Sequence, residues 1–191
     1  MPFAPPDAVE AERLRVRLLA ETDLPALFEV NSDEAVTSLL PYATWRSSAD
    51  ADAWFARMSA LQATGLALQF VVAEKASDKA IGTCLLFRLE EASQRAELGY
   101  VLGRAHWGRG LMHEALSSLV DAAFGPFGLR RLEAEVDTRN LRSAQLLRRL
   151  GFTKEGVLRQ RWVSKGEAKD VEMHGLLRSE WPTIRTRDPE A

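Results

Sequence analysis

Apolar and polar residues alternate strictly from Arg13 to Leu18, with Leu14, Val16 and Leu18 on one face and three arginines on the other, which predicts a half-buried strand. Thr22 then stands as the N-cap of a short helix running to about Val30, with Pro25 tolerated in its first turn. Ser47 and Asp50 have the spacing of a capping box and predict a second helix that carries Trp54, Phe55, Met58 and Leu61. Between the two helices, residues 32–46 form a connection holding Tyr42 and Trp45. Strands follow over 68–73 and 81–89, joined by the turn residues Ser77, Asp78 and Lys79, and a third strand covers 94–102.

The period changes at Leu111. Ala115, Leu116, Leu119, Val120, Ala123 and Phe124 recur at helical spacing until Gly125 and Pro126 end the run. Alternation returns where Leu132, Ala134 and Val136 are set against Glu133, Glu135 and Asp137. A short helix over 140–150 stops at Gly151, a residue suited to a left-handed cap. Two final strands, 153–164 and 168–177, flank Lys165, Gly166 and Glu167 as a hairpin. The order is strand, two helices, three strands, helix, strand, helix, two strands, a mixed α/β arrangement. Residues 1–11, rich in proline and alanine, read as a loose lead-in, 12–181 as one domain and 182–191 as a tail.

Composition narrows the partners. The 191 residues are 46% hydrophobic, enough to fill a core, and 25 basic and 27 acidic residues are mixed along the chain to a net charge of -2. No long basic block is present, so nucleic acid is not an expected partner. Cys84 is the only cysteine and reads as a small apolar filler, while His106, His113 and His174 are too scattered for a zinc site and read as structural or solvated; no metal is expected. The N-terminus has neither the basic start nor the apolar run of an export signal, and no stretch is apolar enough to span a bilayer. The expected compartment is the cytoplasm, with no membrane partner.

One turn carries candidate chemistry. His106-Trp107-Gly108-Arg109-Gly110 lies between the strand ending at Leu102 and the helix starting at Leu111, where free N–H groups and the helix dipole favour an anion and glycine permits close approach. A dinucleotide fingerprint would need a third glycine where His113 stands, and no Gly-Lys-Ser or Gly-Lys-Thr of a nucleoside triphosphate loop is present. The third reading is coenzyme A, with its pyrophosphate on the turn and its pantetheine arm along the strand edge.

Glu97-Leu98-Gly99-Tyr100, followed by Trp107-Gly108-Arg109-Gly110 and Glu114-Ala115-Leu116, resembles the acetyl-CoA motif of the GNAT acyltransferases. Asn140, Ser143, Leu147, Leu150 and Gly151-Phe152 resemble the second half of that signature. Gly156, Arg159, Gly166, Asp170 and Leu177 in the final strands resemble the ribosomal-protein N-terminal acetyltransferases of the RimJ/RimL type. The resemblance covers about Arg13 to Trp181 and implies the GNAT fold, a single mixed, mostly antiparallel sheet of about seven strands with helices on both faces. One position departs from the family pattern: Ala105 stands where Gln or Arg is usual, which removes a side-chain contact but not the backbone donors.

The resemblance implies direct transfer of acetyl from acetyl-CoA to a primary amine within a ternary complex. The acceptor it points to is a protein N-terminal α-amine. A small amine such as a polyamine, amino sugar or amino acid is the nearest alternative, and a silent acyl-CoA-binding module the other; a homodimer is compatible with each. Because a primary amine is mostly protonated at neutral pH, a base is needed, and Glu97, on the strand face of Gly99 and Val101, is the candidate. The family pattern implies oxyanion stabilisation by a backbone N–H near Val101 or Leu102, a proton donor at Ser143 and a pantetheine contact at Asn140. Trp107, Gly108, Arg109, Gly110, Leu111 and Met112 complete the coenzyme-binding set, with Arg148 or Arg149 toward the 3′-phosphate. Tyr42, Trp45, Arg159, Arg161 and Trp162 are the acceptor candidates.

Overall fold

A computed structural model describes residues 8–181. The chain runs β1 (Ala8–Glu10), β2 (Leu14–Leu18), α1 (Leu24–Asn31), α2 (Glu34–Thr37), α3 (Ser48–Ala63), β3 (Ala67–Glu74), β4 (Ala80–Glu90) and β5 (Arg95–Leu102). It continues with α4 (Leu111–Phe124), β6 (Arg131–Asp137), α5 (Leu141–Arg149), β7 (Thr153–Ser164) and β8 (Glu167–Leu177). Eight strands form one sheet in the order β1-β2-β3-β4-β5-β6-β8-β7, antiparallel everywhere except between β5 and β6.

The sheet is covered on both faces, and β3 shows why. Its Leu68, Phe70 and Val72 join the core beneath α4, whereas Val71 points the other way, toward α1 and α3. A strand buried on both sides favours apolar residues in succession rather than in alternation, and Ala67 to Ala73 is buried throughout, with Gln69 the one polar side chain, its Nε2 donating to the Phe70 and Cys84 carbonyls. The amphipathic α4 brings Ala115, Leu116, Leu119, Val120 and Ala123 onto one face, all fully buried against β2 to β6. Each such leucine stabilises the fold by about 1.5–3 kcal/mol.

Three local features differ from the sequence expectation. Ala8–Glu10, inside the stretch read as a loose lead-in, is an edge strand paired with 15–17, and with it the sheet of about seven expected strands has eight among the described residues. Residues 1–7 and 182–191 lie outside the described residues. Thr22 does not cap α1: it sits in a 3₁₀ turn, and the Asp23 carboxylate reaches back to the Ala20 N–H at 2.9 Å while Arg17 grips it with two 2.8 Å bonds. Finally, the 32–46 connection contains α2, whose N-cap Asp33 accepts the Ala35 N–H at 2.9 Å. At Ser47 the expected partner is in place, since the Asp50 carboxylate accepts the N–H groups of Ser47 at 2.9 Å and Arg46 at 2.7 Å.

The parallel pair positions the site. Among the described residues, the β5–β6 register runs only through Arg95↔Arg131, Ala96↔Leu132 and Glu97↔Glu133, after which the strands part. From the parting point β5 leads into the glycine turn and α4, and β6 into α5. At the far side, the β7–β8 hairpin leans on α2: Lys165 Nζ donates to the carbonyls of Thr37 at 2.7 Å and Ser38 at 3.2 Å.

Candidate active site

Where β5 and β6 part, a cleft of about 1300 Å³ opens through the sheet toward the 32–46 connection. Its floor includes Glu97, Gly99 and Val101 from one face of β5, and Ala134 to Asp137 from β6. A Cβ added to Gly99 would meet only Phe87 at 3.7 Å and Leu85 at 3.9 Å, ordinary contact distances. Packing therefore does not demand glycine there; its bare surface keeps the floor of the cleft open.

At one end stands the glycine turn. Gly108 and Gly110 have φ of +73° and +72°, the left-handed conformation that glycine adopts without strain. Gly110 is the N-cap of α4 and offers no side chain to the helix, so the first N–H groups of α4 keep no side-chain cap. Arg13, on the segment entering β2, braces this turn: its N–H and Nε bind the Glu114 carboxylate at 2.6 and 2.7 Å, and its Nη1 donates to the Arg109 carbonyl at 3.2 Å. A rigid concave turn with uncapped donors fits an anionic pyrophosphate.

Across the cleft, α5 begins with Asn140, whose Oδ1 accepts the Ser143 N–H at 3.1 Å as an N-cap. Ser143 Oγ lies 2.6 Å from the Tyr100 hydroxyl. Burial pushes the Tyr100 phenol well above its usual range, so it remains protonated and able to donate. Trp107 bridges toward this side: its Nε1 donates to the Leu102 carbonyl at 2.8 Å, and the Arg142 guanidinium sits 4.9 Å from its ring centroid.

Glu97 is buried, yet it opens on the cleft. Removal from water, and secondarily the nearby Glu135 carboxylate, raise its pKa from 4.5 to about 7, against the pull of Arg88, whose Nη1 lies 2.5 Å from Oε2. Glu135 is likewise buried, which would raise its pKa, but donors from Arg161, Trp162 and Arg88 outweigh that and hold it below the ordinary value. Asp137 at the end of β6 is kept ionised by its paired Arg139, whose Nη2 is 2.6 Å away. A carboxylate that exchanges its proton near neutrality and faces a cleft can act as a general base.

The structure brings most of the expected residues together. Glu97, Val101, Leu102, Trp107, Gly108, Gly110, Leu111, Met112, Asn140 and Ser143 all border the cleft, as do Tyr42, Trp162 and Arg149. Arg109 offers its carbonyl to Arg13 while its exposed side chain lies outside the lining, as does that of Arg148. Trp45 does not reach the cleft: it is buried against Trp54, with ring centroids 5.4 Å apart. Arg159 is exposed on β7, and Arg161 reaches Glu135 rather than open space. Three residues of the site escaped sequence reasoning. Tyr100 sits on the strand face opposite Glu97, and only the approach of α5 makes it part of the site. Arg88 meets Glu97 and Glu135 from a break in the β4–β5 register, for which the alternation of residue types holds no signal.

Comparison with known proteins agrees with this geometry. Residues 13–153 match the acetyltransferase (GNAT) domain family, and the chain belongs to that family. It is an N-acetyltransferase of GNAT type. Over 175 residues it is 35% identical to an uncharacterised N-acetyltransferase, p20, of Bacillus licheniformis, covering 92% of this chain and 98% of the relative. It is 28% identical over 176 residues to the ribosomal protein uS5-alanine N-acetyltransferase of Escherichia coli, covering 89% and 90% of the two chains. Among solved structures, a GCN5-related N-acetyltransferase from Brucella melitensis matches with a TM-score of 0.85 at 28% identity, over 97% of this chain and 86% of that one. Acetyltransferases of this fold use acetyl-CoA. Among the described residues, no helix is long and apolar enough to cross a membrane, and no cluster of His, Cys, Asp or Glu is placed to hold a metal.

Proposed function

We propose that this protein acetylates a protein N-terminal α-amine of the ribosomal-protein type in the cytoplasm, by direct transfer from acetyl-CoA. The observation that carries the chemistry is Glu97, a carboxylate with a pKa of about 7 on the floor of the cleft where β5 and β6 part. Near-full-length similarity to a uS5-alanine N-acetyltransferase supports the acceptor.

The donor supplies an activated acyl group as a thioester. The uncapped start of α4 with Gly108 and Gly110 holds its pyrophosphate, Asn140 contacts the pantetheine, and Arg149 stands toward the 3′-phosphate. Glu97 takes the proton that the acceptor ammonium must lose before its nitrogen can attack the acyl carbon. Backbone N–H near Val101 or Leu102 faces the oxyanion that develops. As the carbon–sulfur bond breaks, Ser143, hydrogen-bonded to the protonated Tyr100, delivers a proton to the departing thiolate. Tyr42 and Trp162 shape the acceptor end of the cleft.

Release of free coenzyme thiol, followed across N-terminal peptides beginning with Ala or Ser, polyamines, amino sugars and amino acids, tests this reading. Peptide-dependent release is expected. Turnover confined to small amines would overturn the acceptor, and coenzyme binding with no acceptor-dependent release would make the chain a silent binding module.

A further inference from the structure

Two irregularities in the sheet converge on the acceptor end of the cleft. In β4 the register with β5 shifts between Phe87 and Glu90, and Arg88 adopts a φ of +50°, a left-handed conformation that arginine rarely takes. In β7 the register with β8 shifts between Leu158 and Trp162, and Gln160 adopts a φ of +49°. Each break re-aims the residues beside it. Arg88 Nη1 lies 2.5 Å from Glu97 Oε2 and 3.3 Å from Glu135 Oε1, while Arg161 Nη2 and Trp162 Nε1 reach Glu135 at 3.0 and 2.7 Å. The Glu135 side chain is only 1% exposed and accepts from three residues on two strands.

We propose that Arg88 is the positioning residue of Glu97, and that Glu135 is the fixed anion that holds Arg88 in place. Strained backbone persists where surrounding structure holds it, and here the hold is the pair of carboxylates at the end of the arginine. The arrangement rests on the reading of Glu97 as the base. It gives the base one defined orientation while leaving its second oxygen for the acceptor. Glu135 cannot substitute for it, because Arg161, Trp162 and Arg88 occupy its oxygens.

The charges facing Glu97 are Arg88 from β4, Glu135 and Glu133 from β6, and Arg161 from β7. They act in opposite directions, so single substitutions should move the titration of Glu97 in opposite directions. Arg88→Met removes the cation nearest to the carboxylate and should shift that titration upward by about 1 pH unit or more. Glu135→Gln removes the neighbouring anion, frees Arg88 and Arg161 toward Glu97, and should shift it downward. Arg88→Lys keeps the charge with less reach and should restore part of the upward shift.

The experiment follows side-chain carboxyl ¹³C shifts of glutamate-labelled protein with pH, with the Glu97 signal assigned by its loss in Glu97→Gln, alongside pH profiles of kcat/KM. Opposite shifts in Arg88→Met and Glu135→Gln, with partial rescue by Arg88→Lys, are expected in both readouts. Shifts of one sign, or none in the carboxyl titration, would overturn the bridge. So would a raised acceptor KM in Arg88→Lys with an unmoved pH profile, which would make Arg88 an acceptor-binding group. If the carboxyl titration moves as stated and the rate profile does not, the bridge stands and Glu97 is not the base.

Discussion

The Tyr100 hydroxyl on β5 and Ser143 Oγ on α5 are 2.6 Å apart, which joins the two sides of the cleft through a hydrogen bond between residues 43 positions apart. The pair couples the strand that carries Glu97 to the helix capped by Asn140. In the proposed mechanism, a proton donated from either hydroxyl would be replaced through the other.

Removing either member should therefore slow the leaving step. Tyr100→Phe and Ser143→Ala are each expected to lower kcat by about 10²-fold, the lower end of what a general acid contributes. The double variant should lose little more than the worse single one, because the hydroxyls act as a unit. Steady-state kinetics of the four proteins check this, and fully additive losses would separate the two roles.

Glu97→Gln should lower kcat/KM by roughly 10²–10⁴-fold and abolish its rise with pH through about 7, the region where Glu97 titrates. Stability should move the opposite way. Below pH 4.5 the carboxyl is protonated in both folded and unfolded chains and costs nothing; as pH rises toward and through about 7, the fold must either retain a proton that the unfolded chain has released or ionise a buried group. The variant should thus gain stability relative to wild type as pH rises from 4.5 to 8, by on the order of 3 kcal/mol at most. Thermal denaturation across that range measures it.

At Gly108, charge and backbone strain can be separated. Nothing lies within 4 Å of a Cβ built there, so Gly108→Asn meets only the cost of a left-handed conformation, about 1 kcal/mol. Gly108→Asp adds a negative charge where the pyrophosphate is proposed to sit. Calorimetric titration with coenzyme A should show Asp binding at least about tenfold more weakly than Asn, with the gap narrowing in high salt. Equal affinities would move the phosphate site elsewhere.

Trp45 packs behind Trp54, which lines the cleft. Trp45→Ala should destabilise the fold by about 3–5 kcal/mol through the cavity left beside Trp54. Acceptor preference should survive in the folded fraction. Urea denaturation and acceptor competition assays read the two effects separately.

Much of this fold is legible along the chain. The apolar period of α4 and the alternation in β2 and β6 each report a face buried against one neighbour, so local pattern and tertiary burial agree. The glycines of the turn lie between one strand end and one helix start, and their left-handed conformation needs no distant contact. Other elements resisted. Ala8–Glu10 is a strand because β2 offers an edge, not because its own residues favour one. α1 has no side-chain cap: Asp23 rather than Thr22 stands at its N-cap position, and Arg17, on a neighbouring strand, holds that carboxylate back toward the Ala20 N–H.

The sequence by itself determined the order of elements, the glycine turn and the presence of a carboxylate on the right face of β5, since these depend on spacing and on residue chemistry along one segment. Only the tertiary structure decided what surrounds that carboxylate. The parting of β5 and β6, the approach of α5 to Tyr100 and the bulges that swing Arg88, Arg161 and Trp162 onto two buried glutamates are set by contacts between distant strands. Desolvation and neighbouring charge, which tune Glu97 toward neutrality, exist only once those strands have met.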